Sequence, residues 1–296
     1  MTRIVISDNM EKEVVEELKS LGEVVFLPEN LEDAVKDADV LIVRSKTNVT
    51  KELTDNAPNL KVIARAGVGL DNIDVKYAEE KGIRVINTPG ASANAVAELV
   101  IGHMLSLFRN IARANNQMKN KIWNKKGLTG LELEGKTLGI VGYGRIGSMV
   151  GRKANALGMK IISYNPPPRH EDEIVEFIED FDGFLKQSDV ITLHVPLTDT
   201  TRDMINKESI EKMKDGAYLI NTSRGEIIEE DALYEACKSG KIAGAALDVY
   251  WKEPYQGKLL ELDNVSFTPH LGASTKEAQL RIGRELIEKL KKELAG

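Results

Sequence analysis

The sequence predicts an α/β protein built from two doubly wound parallel sheets. Two observations predict this class. Short β-branched runs alternate with amphipathic helical stretches from end to end, and the pattern restarts after a long helical segment near the middle. The length of 296 residues, at about 150 residues per domain, gives roughly two domains. Strands that are apolar throughout suit a parallel sheet that helices cover on both faces.

Four strands and one helix are predicted in the first part of the chain. The helix spans Met10–Leu21, where aliphatic residues recur on one face at helical spacing. The strands are β-branched runs bounded by polar residues. They are Arg3–Ser7, Asp39–Val43, Lys61–Ala64 and Arg84–Ile86.

The second part of the chain carries six predicted strands, and a long helix is expected to connect the two parts. That helix is Ala93–Lys121, which contains no Gly/Ser/Pro-rich hinge. An amphipathic helix from Thr275 to about Leu294 is expected to return to the first domain. We therefore predict a discontinuous domain of residues 1–95 and 273–296 around a second domain of residues 96–272. The six strands are Thr137–Val141, Lys160–Ser163, Asp189–Leu193, Ala217–Asn221, Ile242–Val249 and Asn264–Thr268.

Composition and charge exclude several classes of protein. With 42% hydrophobic and 29% charged residues the chain is of globular type, and its net charge of −6 argues against nucleic acid as a partner. Cys237 is the only cysteine, so no intrachain disulfide or cysteine-cluster metal site is possible, and no metal is expected. The apolar stretch Leu99–Phe108 is about half of the ~20 residues that cross a bilayer. We expect a cytoplasmic protein without a membrane segment.

A glycine-rich motif opens the second set of strands. The apolar strand Leu138–Val141 runs into Gly142-Tyr143-Gly144-Arg145-Ile146-Gly147, and a helical stretch follows to Leu157. In such a G-x-G-x-x-G loop, the first glycine permits a tight turn and the second lets the backbone approach a pyrophosphate. The third allows close helix packing, and the helix N-terminus holds the anion. The motif in this strand–turn–helix context predicts a Rossmann dinucleotide-binding domain.

Asn165 occupies the position expected for the ribose contact, at the end of the next strand and roughly 20 residues further on. An Asp or Glu there accepts from the ribose hydroxyls of NAD and repels the 2′-phosphate of NADP. Asparagine bonds the ribose without that repulsion. Arg169 follows four residues later, but the three prolines Pro166–Pro168 limit its reach. NAD is the predicted cofactor, with NADP left open.

Four histidines are candidates for proton transfer. His103 lies in an apolar helix and is predicted to pack in the core or at an interface, whereas His170 lies in a polar loop and is predicted to be solvated. His194 and His270 follow strands, where parallel sheets place ligands. The small residues in Leu271-Gly272-Ala273-Ser274 leave open space beside His270. His270 is therefore the predicted acid/base.

Two further residues favour a catalytic role for His270. Arg224 follows the strand Ala217–Asn221, and its guanidinium fork can grip a carboxylate in bidentate fashion. Glu253, paired with a histidine, would favour the imidazolium. Taken singly, Arg224 is more typical of a surface arginine, and Glu253 is more typical of a solvated loop glutamate, than of a catalytic residue.

Several segments together resemble the D-isomer-specific 2-hydroxyacid dehydrogenases, and within that family the phosphoglycerate dehydrogenase subfamily. The resemblance covers nearly the whole chain and is most specific at His270–Gln279. It implies a Rossmann dinucleotide-binding domain inserted into a flavodoxin-like substrate domain. The other segments that carry it are Leu41–Ser45, Arg65–Asp74, Asn87–Gly90 and Ala243–Val249.

The resemblance also implies roles for individual residues. Arg224, Glu253 and His270 match the catalytic triad of the family, and Asp248 matches the residue that holds the nicotinamide carboxamide. Asn165 departs from the usual Asp, and Val68 stands where close relatives often carry Thr. The implied cofactor residues are Gly142, Gly144, Arg145, Ile146, Gly147, Asn165, His194, Val195, Pro196, Thr222, Ser223, Asp248, Gly272 and Ala273.

A phosphorylated 2-hydroxy acid is the expected substrate. Arg224 would take its carboxylate, and a second cationic site is then needed for the phosphate. Lys125 is expected either to reach the phosphate from a partner subunit or to belong to a solvated basic helix end. The remaining substrate candidates are Arg44 and Arg65 at the ends of strands, Ser45, and the backbone N–H groups of Val68 and Gly69.

The expected reaction is reversible hydride transfer from D-3-phosphoglycerate to NAD, giving 3-phosphohydroxypyruvate, the first step of the phosphorylated route of L-serine biosynthesis. One alternative is a glyoxylate or hydroxypyruvate reductase on the same scaffold. Another is a non-catalytic NAD(H)-sensing protein, like the corepressors that resemble this family. A homodimer is expected, with Ala95–Lys121 as its interface. The chain ends at Gly296, so a C-terminal regulatory domain and serine feedback through it are not expected.

Overall fold

The computed structural model describes residues 1–166 and 172–295. The chain divides into two compact units, the first formed by Met1–Ala93 with Ala273–Gly296 and the second by Asn94–Gly272. The sequence predictions for Arg169 and His170 lie outside the described residues.

The first unit contains a five-stranded parallel sheet. Its strands are β1 (Arg3–Ile6), β2 (Glu23–Phe26), β3 (Val40–Val43), β4 (Val62–Arg65) and β5 (Arg84–Asn87). They lie in the order β2-β1-β3-β4-β5, the flavodoxin-like order. All four residues of the central strand β3 are buried, because helices cover both faces.

Four short helices follow these strands, and local capping explains where three of them begin. The side chains of Asn30, Thr50 and Asp74 each accept a hydrogen bond from a backbone N–H in the first helical turn. The helices are α1 (Lys12–Leu18), α2 (Leu31–Ala34), α3 (Lys51–Asp55) and α4 (Val75–Glu80).

The second unit contains a seven-stranded parallel sheet in the order β12-β11-β10-β9-β6-β7-β8. Six of these strands have the Rossmann order, with β12 added beyond β11. The two parallel sheets confirm the predicted α/β class. The strands are β6 (Thr137–Val141), β7 (Lys160–Tyr164), β8 (Val175–Phe177), β9 (Val190–Leu193), β10 (Ala217–Asn221), β11 (Ile242–Leu247) and β12 (Val265–Phe267).

Among the described residues of the second unit, six helices accompany the sheet, and the first of them begins at the unit boundary. Short 3-10 turns occur at Val35–Asp37, Lys126–Leu128, Gly225–Ile227 and Lys258–Glu261. The helices are α5 (Ala93–Phe108), α6 (Ile111–Lys119), α7 (Arg145–Ala156), α8 (Phe181–Gln187), α9 (Lys207–Lys212) and α10 (Glu230–Ser239).

The prediction of one long helix over Ala93–Lys121 was wrong. The segment is broken between α5 and α6, which are bent by 65°. Asn110 at the break has a φ of 53°, a left-handed conformation that asparagine tolerates better than most residues. Within the described residues no single helix is long and apolar enough to cross a membrane, although the bent pair α5 and α6 together meets that test of length and composition.

Strands β2 and β8 were not predicted. Both are edge strands of their sheets. β2 has no buried residue, and β8 is three residues long with none buried. Edge strands with little burial carry a weak apolar pattern, which is why periodicity missed them.

The last helix, α11 (Lys276–Ala295), packs in the first unit against α1. Its buried face includes Ile282, Leu286 and Leu290, which join the core formed by β1, β3 and β4. A Cβ at Gly283 would overlap the side chain of Val14, so the glycine permits close approach of the two helices. The C-terminal segment therefore completes the core that begins at the N-terminus.

Candidate active site

The predicted acid/base and its predicted carboxylate partner are in direct contact in the second unit. Nδ1 of His270 lies 3.0 Å from both Oε1 and Oε2 of Glu253. The two side chains are 43% and 42% exposed, so solvent and small ligands reach them. Because Nδ1 faces the carboxylate, Nε2 is the ring atom that can exchange a proton with a substrate.

The fold explains why the two residues meet. Glu253 follows β11 and His270 follows β12, and these parallel strands are neighbours, so both loops leave the same edge of the sheet. Carboxyl ends of parallel strands are where open α/β sheets bind ligands. His270 has a φ of 54°, which is uncommon for a residue with a side chain.

A buried carboxylate anchors the loop that carries His270. Asp248, 1% exposed, accepts a hydrogen bond from the Thr268 hydroxyl at 2.6 Å. It also accepts from the backbone N–H groups of Leu271 at 2.7 Å and Gly272 at 2.8 Å. Asp248 thus holds the chain on both sides of His270, a role that sequence reasoning did not foresee.

Arg224 lies after β10, the strand next to β11. Its loop is held by the buried Asn221, whose Oδ1 accepts from the Ser223 N–H at 3.0 Å and whose Nδ2 donates to the Arg224 carbonyl at 2.8 Å. The Nη1 of Arg224 donates to the Ser223 carbonyl at 2.6 Å. Asn221 is therefore a further site residue that the sequence analysis did not assign.

Gly225 brings the Arg224 loop against the Glu253 loop. A Cβ at Gly225 would overlap the backbone between Tyr250 and Trp251. Only a glycine permits this approach without displacing one of the two segments. The loops that carry the three predicted catalytic residues all leave neighbouring strands of one sheet.

The glycine loop after β6 fits the three roles predicted for it. Gly142 has a φ of +91°, and a Cβ there would lie 2.7 Å from the His194 carbonyl oxygen. A Cβ at Gly147 would overlap the carbonyl oxygen of Gly142, so that glycine lets α7 pack on the strand. At Gly144 a Cβ would meet nothing within 4 Å, and no side chain caps the N-terminus of α7 there. The open helix N-terminus suits a pyrophosphate.

Two buried polar atoms beside this loop have no hydrogen-bond partner within the described residues: Nδ1 of His194 and Oγ1 of Thr222. They follow β9 and β10, at the edge where β6 ends. The other ring nitrogen of His194 lies 2.9 Å from the Thr192 hydroxyl, and burial lowers the pKa of His194 to about 3, so the imidazole is neutral. Open space and unpaired polar atoms at this edge fit a bound dinucleotide.

Asn165 contacts the glycine loop itself. Its Oδ1 accepts from the Tyr143 N–H at 2.9 Å, and its Nδ2 donates to the Pro166 carbonyl at 3.0 Å. The Tyr143 hydroxyl in turn donates to Asp172 at 3.0 Å. The side chain at the end of β7 is thus fixed and neutral.

Other predicted cofactor residues of the second unit lie near the same edge of its sheet. Arg145 and Ile146 are the first residues of α7. A Cβ at the first glycine of the loop would lie 2.8 Å from a Val195 methyl group, so Val195 and the adjoining Pro196 border that loop. Ala273 is the first residue of the segment that returns to the first unit.

The first unit places Arg44 and Arg65 at the carboxyl edge of its own sheet. Val43 pairs with Arg65 in the β3–β4 register, so Arg44 lies one residue beyond that pair. The buried Asp8 accepts from the Arg44 N–H at 2.5 Å, and Nη1 of Arg44 donates to the Asn9 carbonyl at 3.0 Å. These bonds fix the loop that carries Arg44.

The Arg65 guanidinium lies over Gly67. A Cβ at Gly67 would overlap Nη1 of Arg65, which donates to the Ala66 carbonyl at 3.2 Å. Val68 follows with 38% of its surface exposed, and Asn87 donates to its carbonyl at 2.6 Å. The glycine therefore makes room for the guanidinium.

Of the remaining substrate candidates, Ser45 in the first unit and Lys125 in the second are exposed, and Gly69 in the first unit is half-buried. Lys125 immediately precedes the 3-10 turn Lys126–Leu128 in the second unit. Trp123, two residues earlier, is 81% exposed.

A groove of about 830 Å³ lies at the opposite edge of the second sheet, where Thr137 and Lys160 begin β6 and β7. Its lining mixes cations and carboxylates, including Lys186 and Glu176. None of the predicted site residues lines this groove.

Comparison with known proteins identifies the class. Residues 101–272 match the family model described as D-isomer specific 2-hydroxyacid dehydrogenase, NAD binding domain. The chain is 52% identical over 301 residues to a hydroxypyruvate reductase of Thermotoga maritima, covering 99% of this chain and 98% of that protein. The chain belongs to the D-isomer specific 2-hydroxyacid dehydrogenase family, and its class is that of NAD-dependent dehydrogenases.

Among individual relatives, the chain is 48% identical to a D-3-phosphoglycerate dehydrogenase of Methanocaldococcus jannaschii, covering 100% of this chain and 58% of that protein. Its fold matches a D-lactate dehydrogenase of Aquifex aeolicus, complexed with NAD and lactic acid, with a TM-score of 0.86 and 33% identity over 98% of this chain and 94% of that one. The TT0316 protein of Thermus thermophilus gives a TM-score of 0.91 at 34% identity, over 100% and 97% of the two chains. These findings confirm the predicted family and an enzyme that uses NAD(H).

Proposed function

We propose that this protein catalyses the reversible oxidation of D-3-phosphoglycerate to 3-phosphohydroxypyruvate, with NAD as cofactor, at the start of a phosphorylated route to L-serine. One observation carries the choice of substrate. Arg44 and Arg65 lie at the carboxyl edge of the first sheet, in addition to Arg224 in the second unit. A substrate with a carboxylate and a phosphate needs two such cationic groups, because each anion must be matched by its own donors.

The residues of the second unit supply the acid/base chemistry. NAD, held by the glycine loop, would supply the acceptor for the C2 hydrogen and its electron pair. Nε2 of His270 takes the proton of the C2 hydroxyl and returns it in the reverse direction. Glu253 at 3.0 Å stabilises the imidazolium, and Arg224 orients the carboxylate through its guanidinium fork.

We propose that one unit binds the substrate and the other binds the dinucleotide. Residues 1–93 and 273–295 form the substrate domain, and residues 94–272 hold the dinucleotide through the glycine loop, Asn165, Thr222 and Asp248. We propose NAD over NADP, because no Lys or Arg immediately follows Asn165 in the sequence and its Oδ1 is already bonded to the glycine loop.

We propose a homodimer whose interface includes α6 and the segment after it. Several large apolar residues there are exposed, among them Ile111, Met118 and Ile122 at 54%, 54% and 51%. Exposed apolar residues clustered in one stretch are typical of an interface. Light scattering on the purified protein tests this proposal, and a monomer at micromolar concentration would contradict it.

A hydroxypyruvate reductase is the second candidate. The observation that favours it is the 52% identity to the Thermotoga maritima hydroxypyruvate reductase over nearly the whole of both chains. The substrate of such an enzyme has one carboxylate and no phosphate, so one cationic group is enough to bind it. Arg44 and Arg65 would then contribute little to turnover.

NADH consumption with three 2-oxo acids separates the candidates. We expect kcat/KM for 3-phosphohydroxypyruvate to exceed that for hydroxypyruvate and glyoxylate by at least about tenfold, the range of one charged hydrogen bond. Arg65→Ala should abolish this preference and leave hydroxypyruvate turnover unchanged. A preference for hydroxypyruvate that survives Arg65→Ala favours the reductase. NADH binding without turnover of any of the three acids indicates a sensor.

A further inference from the structure

Thr268 joins three parts of the second unit through both of its polar groups. Its hydroxyl donates to Asp248 at 2.6 Å and also contacts Nε2 of His103, on α5, at 3.0 Å. Its carbonyl oxygen accepts from the Tyr250 hydroxyl at 2.8 Å and from the N–H of His270 at 3.0 Å. His103 and Tyr250, which are far apart in sequence, therefore both contact Thr268, two positions before His270.

The direction of the hydrogen bonds follows from proton counting. A hydroxyl has one proton, and a carboxylate only accepts, so Thr268 must donate to Asp248. The Thr268 oxygen then accepts from His103, which requires the proton on Nε2 of that imidazole. His103 is 4% exposed, and burial lowers its pKa more than the Asp248 carboxylate raises it. The imidazole is neutral and acts as a fixed donor.

Tyr250 links the two catalytic loops. It lies three residues before Glu253, and its hydroxyl, shared between the carbonyl oxygens of Thr268 at 2.8 Å and Leu247 at 3.0 Å, reaches the segment that carries His270. The ring is held by stacking on Tyr255, with centroids 4.8 Å apart and planes 18° from parallel. This bond therefore connects the segment that leads to Glu253 with the segment that leads to His270.

The loop needs such support because His270 has the uncommon φ of 54°. Asp248 holds the two residues after His270, whereas Thr268 is the point of attachment before it. His103 and Tyr250 fix Thr268 from its side chain and from its backbone.

We propose that His103 and Tyr250 are positioning residues that, through Thr268, hold the His270 imidazole in register with Glu253 and with the substrate. This proposal rests on the acid/base role of His270 proposed above. Both residues act through Thr268 and do not contact the His270 imidazole itself. We therefore expect their loss to slow proton transfer and to leave the Kd for NADH unchanged.

The test uses Tyr250→Phe and His103→Leu, which each remove one hydrogen bond to Thr268, and His103→Gln, which keeps an N–H donor at the same reach. Tyr77→Phe is the matched control, since it removes a tyrosine hydroxyl bonded to Asp55 in the first unit. The full-length protein is assayed with NADH and 3-phosphohydroxypyruvate or, if that acid is not turned over, hydroxypyruvate. The readouts are kcat, the solvent deuterium isotope effect, the Kd for NADH and the melting temperature.

We expect kcat to fall about tenfold in Tyr250→Phe and His103→Leu, since displacement of a catalytic group by an ångström can cost up to about a hundredfold. The solvent isotope effect should rise, because proton transfer through a misplaced imidazole becomes slower. The Kd for NADH should change less than twofold, and His103→Gln should restore most of the rate. Tyr77→Phe should match the wild type in every readout.

Unchanged kcat in Tyr250→Phe, the mildest substitution, would overturn the proposal even if His103→Leu does not fold. A loss of rate that parallels a loss of NADH affinity or melting temperature would also overturn it, because the role would then be structural. If the wild-type protein turns over neither acid, the proposed function fails instead, and the two failures are distinguishable.

Discussion

Nδ1 of His270 lies 3.0 Å from both carboxylate oxygens of Glu253, so the imidazole faces the carboxylate symmetrically. This geometry places the negative charge of Glu253 beside Nδ1, where it would stabilise an imidazolium in the proposed proton transfer. It also directs Nε2 away from Glu253.

Glu253→Gln should keep a hydrogen-bond acceptor for Nδ1 but remove the charge. We expect kcat to fall about a hundredfold, near the lower end of the range for general acid–base catalysis, with the Kd for NADH unchanged. Glu208→Gln is a suitable control, because Glu208 pairs with Lys212 on the surface. A Glu253→Gln variant with wild-type kcat would show that the pair has no catalytic role.

Gly67→Ala should displace the Arg65 guanidinium, which lies where the new methyl group would be. We expect kcat/KM for 3-phosphohydroxypyruvate to fall about tenfold, and turnover of hydroxypyruvate to remain, because only the phosphate loses a charged partner. Gly102→Ala is the matched control, since a Cβ there meets nothing within 4 Å. Equal losses for both acids would contradict a phosphate role for Arg65.

Asn165→Asp should increase the preference for NADH over NADPH. A carboxylate can still accept from the Tyr143 N–H at 2.9 Å, but it adds a negative charge beside the expected 2′-position. We expect kcat/KM with NADPH to fall at least about tenfold and that with NADH to change less than about threefold, because the repulsion acts on the 2′-phosphate alone. Steady-state kinetics with each cofactor at a fixed 2-oxo acid measure this. Parallel changes with both cofactors would show that Asn165 does not face the ribose.

The stability of the cofactor-free protein should fall between pH 7.5 and pH 5.5. Burial lowers the pKa of His194 to about 3, whereas in the unfolded chain a histidine has a pKa of about 6.5. The contribution of His194 is therefore complete above pH 6.5 and is lost as the pH falls towards 3, because the unfolded state alone binds the proton. His103 acts in the same direction.

Urea denaturation of the wild type and His194→Asn at the two pH values tests this effect. The midpoint should drop less for the variant, which lacks one titrating group. His103→Gln should reduce the drop independently. The same pH dependence in all three proteins would mean that neither imidazole is buried in the neutral state.

Local chain geometry explains which parts of the site were predictable. The glycine loop is encoded in consecutive residues, and Gly142, Gly144 and Gly147 have the surroundings that their spacing implies. The pairing of Glu253 with His270 follows from two loops that leave neighbouring parallel strands. Both features depend on where strands and helices follow one another along the chain, and the hydrophobic periodicity of the sequence indicates those positions.

Other features depend on tertiary contacts that no local pattern carries. The break at Asn110 is a single left-handed residue inside an otherwise helical stretch. His103 was predicted as a core residue and is indeed buried, but its bond to Thr268 spans 165 positions of the chain. A hydrogen bond between the half-buried Thr268 and the buried Asp248 leaves no periodic signal, so the anchoring role of Asp248 emerged only from the structure.

The turnover number of His270→Gln, with saturating NADH and 3-phosphohydroxypyruvate, tests the proposed proton transfer, and the Kd for NADH is measured in parallel. We expect kcat to fall by at least about a thousandfold, within the range for removal of a general acid–base group, and the Kd for NADH to stay within about twofold of the wild type. Turnover within tenfold of the wild type would contradict it, because His270 would then not transfer the proton.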